Sequence, residues 1–439
     1  MIARLFRFLL ENQTSGQTVA KNTIWLFAGQ FASRALRAVT VIVAARILGA
    51  ASWGAFSYAL GIATFLTTFS DIGINALLTK ETAKDPAHKR EFLATALFVK
   101  FALIAILLAG VFAALPYLTN IPESRALLPI LVFVFVFDTL RELGASLSRA
   151  LEKMQIEAGL QFLANFAIAA LGILFLVRFR TSTALAFAYV AGSGIGALTM
   201  FVVLRAHFRG FFQNVRGALM GPILKTAWPF GLISLMGTIA LNTDIVMLGW
   251  MRTPEEVGYY AAAQKLIYLL YVLPGLVAAS IFPLTARLAA TDPPRAKFIV
   301  ERAAAGLLLA ACALAAFGIM LASPFIRIFF GAAYTEAIPA FRILMLTLII
   351  VYPSLLVSNA LFAYGETKKF IRFVTASVVS NVALNFLLIP PLGIEGAALA
   401  TIGSQLATNA LIWKSMRRVN GFTLLPHLKT YLGFGARLH

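Results

Sequence analysis

Stretches of about 20 apolar residues recur along this chain, the length a helix needs to cross the hydrocarbon core of a bilayer. They fall near residues 23–48, 54–78, 92–115, 126–148, 158–177, 183–204, 223–250, 258–284, 303–322, 338–362, 370–389 and 395–413, about twelve in all. No long alternation of polar and apolar residues accompanies them, so helices rather than a β-barrel should satisfy the backbone inside lipid. The connections are short and carry breakers: Asp85-Pro86, Ile121-Pro122, Thr253-Pro254, Asp292-Pro293-Pro294 and Pro390-Pro391. With 60% hydrophobic and 13% charged residues among 439, the chain lacks the polar surface to cover a soluble fold of this size.

A net charge of +19, from 37 Lys and Arg against 18 Asp and Glu, could serve nucleic-acid binding or membrane topology. Position decides between them. With the N-terminus placed in the cytoplasm, about 25 of the 37 basic residues lie on cytoplasmic segments, giving those segments about +16 net. External segments hold Arg46, Arg125, Arg178, Arg180, Arg252 and Arg327 and are nearly neutral. This is a positive-inside pattern; it puts both termini in the cytoplasm and removes nucleic acid as a partner.

The expected organisation is an all-α polytopic membrane protein. Residues 1–21 form a cytoplasmic N-terminal segment, within which the basic, amphipathic run Met1–Leu10 reads as an interfacial helix, not a cleaved signal. Residues 22–205 carry helices 1–6, 206–222 a cytoplasmic linker, 223–414 helices 7–12, and 415–439 a cytoplasmic tail. The two halves echo one another. Leu48-Gly49 and Gly54 to Tyr58 match Leu248-Gly249 and Gly258 to Ala261; Asp85-Pro86 matches Asp292-Pro293; Ser148 to Leu151 matches Ser358 to Leu361. Six helices per half return the chain to the same side, so the repeats are parallel: two six-helix lobes around a central cavity, a transporter design.

Polar groups inside the spans mark the candidate site, because intramembrane charge is costly. Gln30, Ser33, Arg34, Arg37 and Thr40 share one helical face in span 1, and Thr64, Thr67, Thr68, Asp71 and Asn75 form a stripe in span 2. Span 7 carries Ser234, Thr238, Asn242 and Asp244; span 8 carries Gln264, Lys265, Tyr268 and Tyr271; span 11 carries Ser377, Ser380, Asn381 and Asn385. Each has a structural alternative. Arg34 and Arg37 could pair with Asp71, Asp244 could be solvated near an interface, Lys265 could snorkel, and the Ser/Thr/Asn stripes could bond helix to helix. Asp138 and Arg141 read as a local ion pair, and Gly192–Gly196 as a close-packing face. Pro229, Pro274-Gly275, Pro283 and Pro353 interrupt helical hydrogen bonds; hinges are expected at Pro229, Pro274 and Gly275, packing kinks being the alternative.

Signs of enzyme chemistry are missing. His88, His207, His427 and His439 have no metal-ligand spacing, and neither H-E-x-x-H nor a phosphate-binding G-x-x-x-x-G-K-[ST] occurs. Cys312 stands alone in an apolar run and is expected as a small buried core residue.

The residues Ala44 and Arg46 to Gly49, Gly54 to Tyr58, Phe69 to Gly73, Asn242 to Gly249, Val257 to Leu266, Pro274 to Pro283 and Pro390 to Ala398 make the chain resemble a known family. It is similar to the polysaccharide transporters of the multidrug/oligosaccharidyl-lipid/polysaccharide exporter superfamily, and most of all to Wzx-type lipid-linked oligosaccharide flippases. The resemblance implies a substrate linked to undecaprenyl pyrophosphate, such as an O-antigen, capsule or exopolysaccharide repeat unit. It would be moved from the inner to the outer leaflet of the cytoplasmic membrane by alternating access. On this reading Arg34 and Arg37, with Gln30, would meet the pyrophosphate; Lys265 would add a charge, and Tyr268 and Tyr271 would stack on sugars. Asp71 or Asp244 would carry a coupled proton or sodium ion, with no cofactor. The partners implied are the lipid-linked glycan, membrane lipids and other polysaccharide-assembly proteins. A multidrug/cation antiporter of the same superfamily is the first rival, and the paired arginines weigh against it. A membrane-bound glycan polymerase or glycosyltransferase is remote, since no external loop is long enough for a catalytic domain.

Overall fold

A computed structural model describes residues 15–84, 89–208, 210–366 and 369–431. The interfacial helix expected at Met1–Leu10 and the Asp85-Pro86 connection lie outside the described residues. Those residues are almost wholly helical: α1 (Ser15–Asp71), α2 (Ile74–Lys84), α3 (Lys89–Leu118), α4 (Pro122–Ala150), α5 (Met154–Phe179), α6 (Ser182–Val203), α7 (Phe211–Asn214) and α8 (Gly217–Met251). There follow α9 (Pro254–Leu270), α10 (Val272–Thr291), α11 (Pro293–Met320), α12 (Ala322–Phe330), α13 (Ala337–Met345), α14 (Thr347–Ala363), α15 (Phe370–Asn420) and α16 (Leu425–Tyr431).

Local chemistry explains the boundaries. The prolines expected to interrupt the chain open α4, α9 and α11, where a missing N–H costs nothing. Thr253 and Asp292 cap α9 and α11 by accepting backbone N–H groups of Glu256 and Arg295. The two longest helices are each two helices joined at a glycine: α1 breaks at Gly49 (φ 75°, ψ 174°) and α15 at Gly393 (φ 58°, ψ −130°). Pro390 and Pro391 sit just before the second break.

Among the described residues, eight helices are long and apolar enough to cross a membrane, nine when the bent α8 is counted as one. That measure does not reach the twelve expected, because it takes α1 and α15 each as one helix across its glycine. It also omits α4, whose 29 residues carry Glu123, Arg125, Asp138, Arg141 and Glu142. Large apolar side chains point outward along these helices, Ile106 at 67% and Phe386 at 69% exposure among them, a surface that suits lipid and not water. The chain is a multi-pass membrane protein.

The chain divides into two compact units, residues 1–239 and 240–439, with the boundary inside α8. In the first, Leu97, Phe135, Leu143, Leu147, Leu160 and Met200 build a core from α3, α4, α5 and α6. Gly192 and Gly196 let α6 approach α5 closely: a Cβ on Gly192 would lie 2.5 Å from Ile168, and one on Gly196 2.7 Å from the Ala164 methyl. This is the close-packing face expected from their spacing. In the second unit small residues take the same role, with Ala304, Ala311, Ala315 and Gly318 forming the buried stripe of α11. Cys312 falls one residue off that stripe, about 100° round the helix, and is exposed, contrary to the buried position expected.

Candidate functional site

Two polar constellations form, one in each unit. In the first, α1 presents Gln30, Arg34 and Arg37 at exposed positions while Ser33 and Thr40 turn inward. Arg37 Nε donates to Asn165 Oδ1 on α5 at 2.8 Å. Asn165 in turn donates through Nδ2 to the Gln161 carbonyl at 2.7 Å. Gln161 Oε1 accepts from Arg141 of α4, whose other nitrogens meet Asp138 at 3.3 Å and Glu142 at 3.1 Å. Asp138 and Arg141 are thus the local pair expected. Among the described residues neither Arg34 nor Arg37 has a carboxylate within salt-bridge range, and the two arginines repel one another.

Asp71 has a different partner from the arginines considered for it. Lys100, wholly buried in the middle of α3, donates to Asp71 Oδ1 at 2.8 Å, and the same oxygen accepts the Asn75 backbone N–H. A lysine inside a helix bundle is tolerable only with such a counter-charge. Of the threonine stripe of span 2, Thr68 bonds helix to helix, meeting Thr238 at 2.9 Å, while Thr64 and Thr67 bond carbonyls of their own helix; Ser70, next to the stripe, meets Thr139 at 2.6 Å.

In the second unit Asp244, 1% exposed, sits among four neutral donors. Asn381 and Asn385 of α15 reach Oδ1 at 3.0 and 2.7 Å; Tyr260 of α9 and Thr401 of α15 reach Oδ2, both at 2.7 Å. The Asn pair lies before the Gly393 break and Thr401 after it, so the kink brings both halves of α15 to one carboxylate. Asn385 Oδ1 has no hydrogen-bond partner there. Among the described residues no group of three or more His, Cys, Asp or Glu could hold a metal. Four neutral dipoles thus converge on one carboxylate.

The remaining expected residues are placed as follows. Lys265 is half-buried on α9, beside Gln264, which is buried with neither end of its amide bonded. The Tyr268 and Tyr271 rings lie 5.7 Å apart, but their hydroxyls are engaged, Tyr268 with the Leu241 carbonyl and Tyr271 with Thr347 and Gln405. Pro229 lies in α8, which bends by 40° between residues 217–232 and 234–251. Pro274 and Gly275 occupy the first turn of α10, just past the break at Tyr271 that ends α9. Asn165, Lys100, Tyr260 and Thr401 had not been singled out. Lys100 could have been, as a lone charge at mid-span; the other three are ordinary polar residues whose role appears only when helices are packed.

Comparison with known proteins fits this architecture. The sequence profile of a family described as polysaccharide biosynthesis protein matches residues 19–289. A protein from Haloferax volcanii described as "Probable low-salt glycan biosynthesis flippase Agl15" is 21% identical over 387 residues, 87% of this chain and 80% of that protein. Among solved structures, "Lipid II flippase MurJ, inward closed conformation" superposes with a TM-score of 0.76 at 19% identity, covering 93% of this chain and 90% of that one. An inward-facing multidrug resistance MATE family transporter of the MOP superfamily gives 0.63 at 16% identity, covering 96% and 98%. These likenesses show the fold, an all-helical architecture of two lobes.

Proposed function

Because the chain belongs to the polysaccharide biosynthesis protein family, we propose that it is a flippase for an undecaprenyl-pyrophosphate-linked oligosaccharide. The cargo is an O-antigen, capsule or exopolysaccharide repeat unit, carried from the inner to the outer leaflet of the cytoplasmic membrane by alternating access. Both termini face the cytoplasm, as the charge bias favours. The description of the Haloferax volcanii relative as a probable glycan biosynthesis flippase supports glycan flipping. The observation that carries the reading is the Arg34 and Arg37 face: two exposed guanidiniums inside a membrane span with no carboxylate to neutralise them. Bare positive charge there is costly unless an anion visits. A pyrophosphate carrying about two negative charges is such an anion, and guanidinium binds phosphate oxygens two at a time.

An inside-negative potential moves that anion outward with about 2.3 kcal/mol per charge per 100 mV, about 4.6 for two charges. Asp244 supplies the place for a coupled ion. A single buried carboxylate ringed by neutral oxygens and amides, with the Asn385 oxygen unbonded, suits one monovalent cation, a proton or a sodium ion. Asp71, already neutralised by Lys100, suits it less.

The test is export of the lipid-linked repeat unit in cells carrying Arg34→Ala or Arg37→Ala, with protein level and membrane insertion followed in parallel. Export is expected to fail while the protein persists, and Arg→Lys to retain part of it. Normal export by both alanine variants would exclude the clamp. Export of small cations by the intact protein, in place of glycan, would favour the antiporter reading.

A further inference from the structure

Arg37 does not hang free, and the way it is held is specific. Its Nε is bonded at 2.8 Å to Asn165 Oδ1. A side-chain amide can offer either its oxygen or its nitrogen, and here the choice is forced. Asn165, 5% exposed, donates its Nδ2 to the Gln161 carbonyl one turn back on its own helix, which leaves only the oxygen facing Arg37. Gln161 is fixed from the other end by Arg141, and Arg141 absorbs Asp138 and Glu142. The acids nearest this chain of contacts have cationic partners of their own, Asp138 and Glu142 at Arg141 and Glu157 at Arg149, and the group that touches Arg37 is neutral.

We propose that Asn165 is the positioning residue for Arg37. It holds the guanidinium by its Nε edge, leaves the positive charge whole, and keeps the paired Nη groups free for a diphosphate. The proposal rests on the pyrophosphate reading of the arginine face given above. A guanidinium has five N–H donors in a planar fork, and the bond to Asn165 uses the one on the stem. No other hydrogen bond to Arg37 comes from the described residues. The Nη groups stay available for bidentate contact, with side-chain freedom already reduced before the anion arrives. A carboxylate at position 165 would keep a contact to Arg37 but cancel its charge, and would give up the donor that now binds the Gln161 carbonyl; an aliphatic residue would keep the charge and release the geometry. An amide does neither.

The experiment separates these effects. The purified full-length protein in detergent is titrated with farnesyl pyrophosphate and farnesyl monophosphate, and its melting temperature is recorded. Asn165→Asp is nearly isosteric; it loses the bond to the Gln161 carbonyl but gains an ion pair with Arg37, so it should stay folded through the titration with a modestly changed melting temperature, yet bind the pyrophosphate at least about tenfold more weakly, as loss of a charge-assisted contact requires. Asn165→Leu should lose several-fold in affinity and, with the fork no longer fixed, lose the preference for pyrophosphate over monophosphate. Arg37→Ala tests the underlying reading. If Arg37→Ala weakens binding while both Asn165 variants bind as the parent does, the positioning role is wrong and the clamp stands. If Arg37→Ala binds normally, the clamp reading falls and the proposal with it. Should Asn165→Leu melt early, the isosteric Asp variant decides alone.

Discussion

Lys100 and Asp71 meet at 2.8 Å with the lysine wholly out of solvent, so neither can be removed alone without stranding the other. Asp71→Asn is expected to destabilise the protein by about 3–5 kcal/mol, the usual cost of orphaning a buried charge, and Asp71→Leu with Lys100→Leu to recover most of it. Thermal unfolding in detergent measures both; equal losses for the single and double variants would mean the pair is not the relevant unit. Asp244 calls for a different test because its partners are neutral. Asp244→Asn offers one acceptor oxygen to four donors that now share two, so a stability loss of about 1–3 kcal/mol is expected. If the proposed coupling is right, that variant also stops responding to an imposed sodium or proton gradient in a reconstituted flipping assay. An undiminished response would move the coupling site elsewhere.

At the level of helices, the sequence was most legible where periodicity and breakers act locally. The spans near 92–115, 158–177 and 183–204 appear as α3, α5 and α6, and Pro122, Pro254 and Pro293 open helices where a proline can. The polar face of span 1 was legible too, since Gln30, Arg34 and Arg37 share one side of any helix. What could not be read is which group each would meet. Asn165 lies 128 residues from Arg37, and Thr401 lies 157 from Asp244. No spacing rule joins residues on different helices, and the offer of Arg34 and Arg37 to Asp71 failed for that reason. Position 393 makes a prediction at this scale. With φ at 58° and a Cβ that would fall 2.9 Å from Glu256 Oε2, Gly393→Ala should cost about 1–3 kcal/mol. It should also weaken the Asp244 cluster, whose ligands straddle that break. Gradient-dependent flipping by Gly393→Ala indistinguishable from the parent's would show that the kink does not serve the cluster.

For the whole molecule, the large positive charge is mainly topological on the proposed reading, and this is open to direct measurement. A fluorescent protein that folds only in the cytoplasm, fused after His439, should fluoresce, and a phosphatase active only outside should be inactive at the same position. The opposite result would invert the assignment of loops. The two constellations described above lie in separate compact units, the arginine face within residues 1–239 and the Asp244 cluster within 240–439. The hydrogen bonds described above keep within each unit: Asn165 holds Arg37 in the first, and Asn381, Asn385, Tyr260 and Thr401 hold Asp244 in the second. If the proposed roles hold, changes that suit the first unit to a new cargo need not disturb the second. On that reading a lineage could diversify the glycans it carries while inheriting its proposed coupling site unchanged, and chimeras that exchange residues 1–239 between relatives would be the laboratory form of that history.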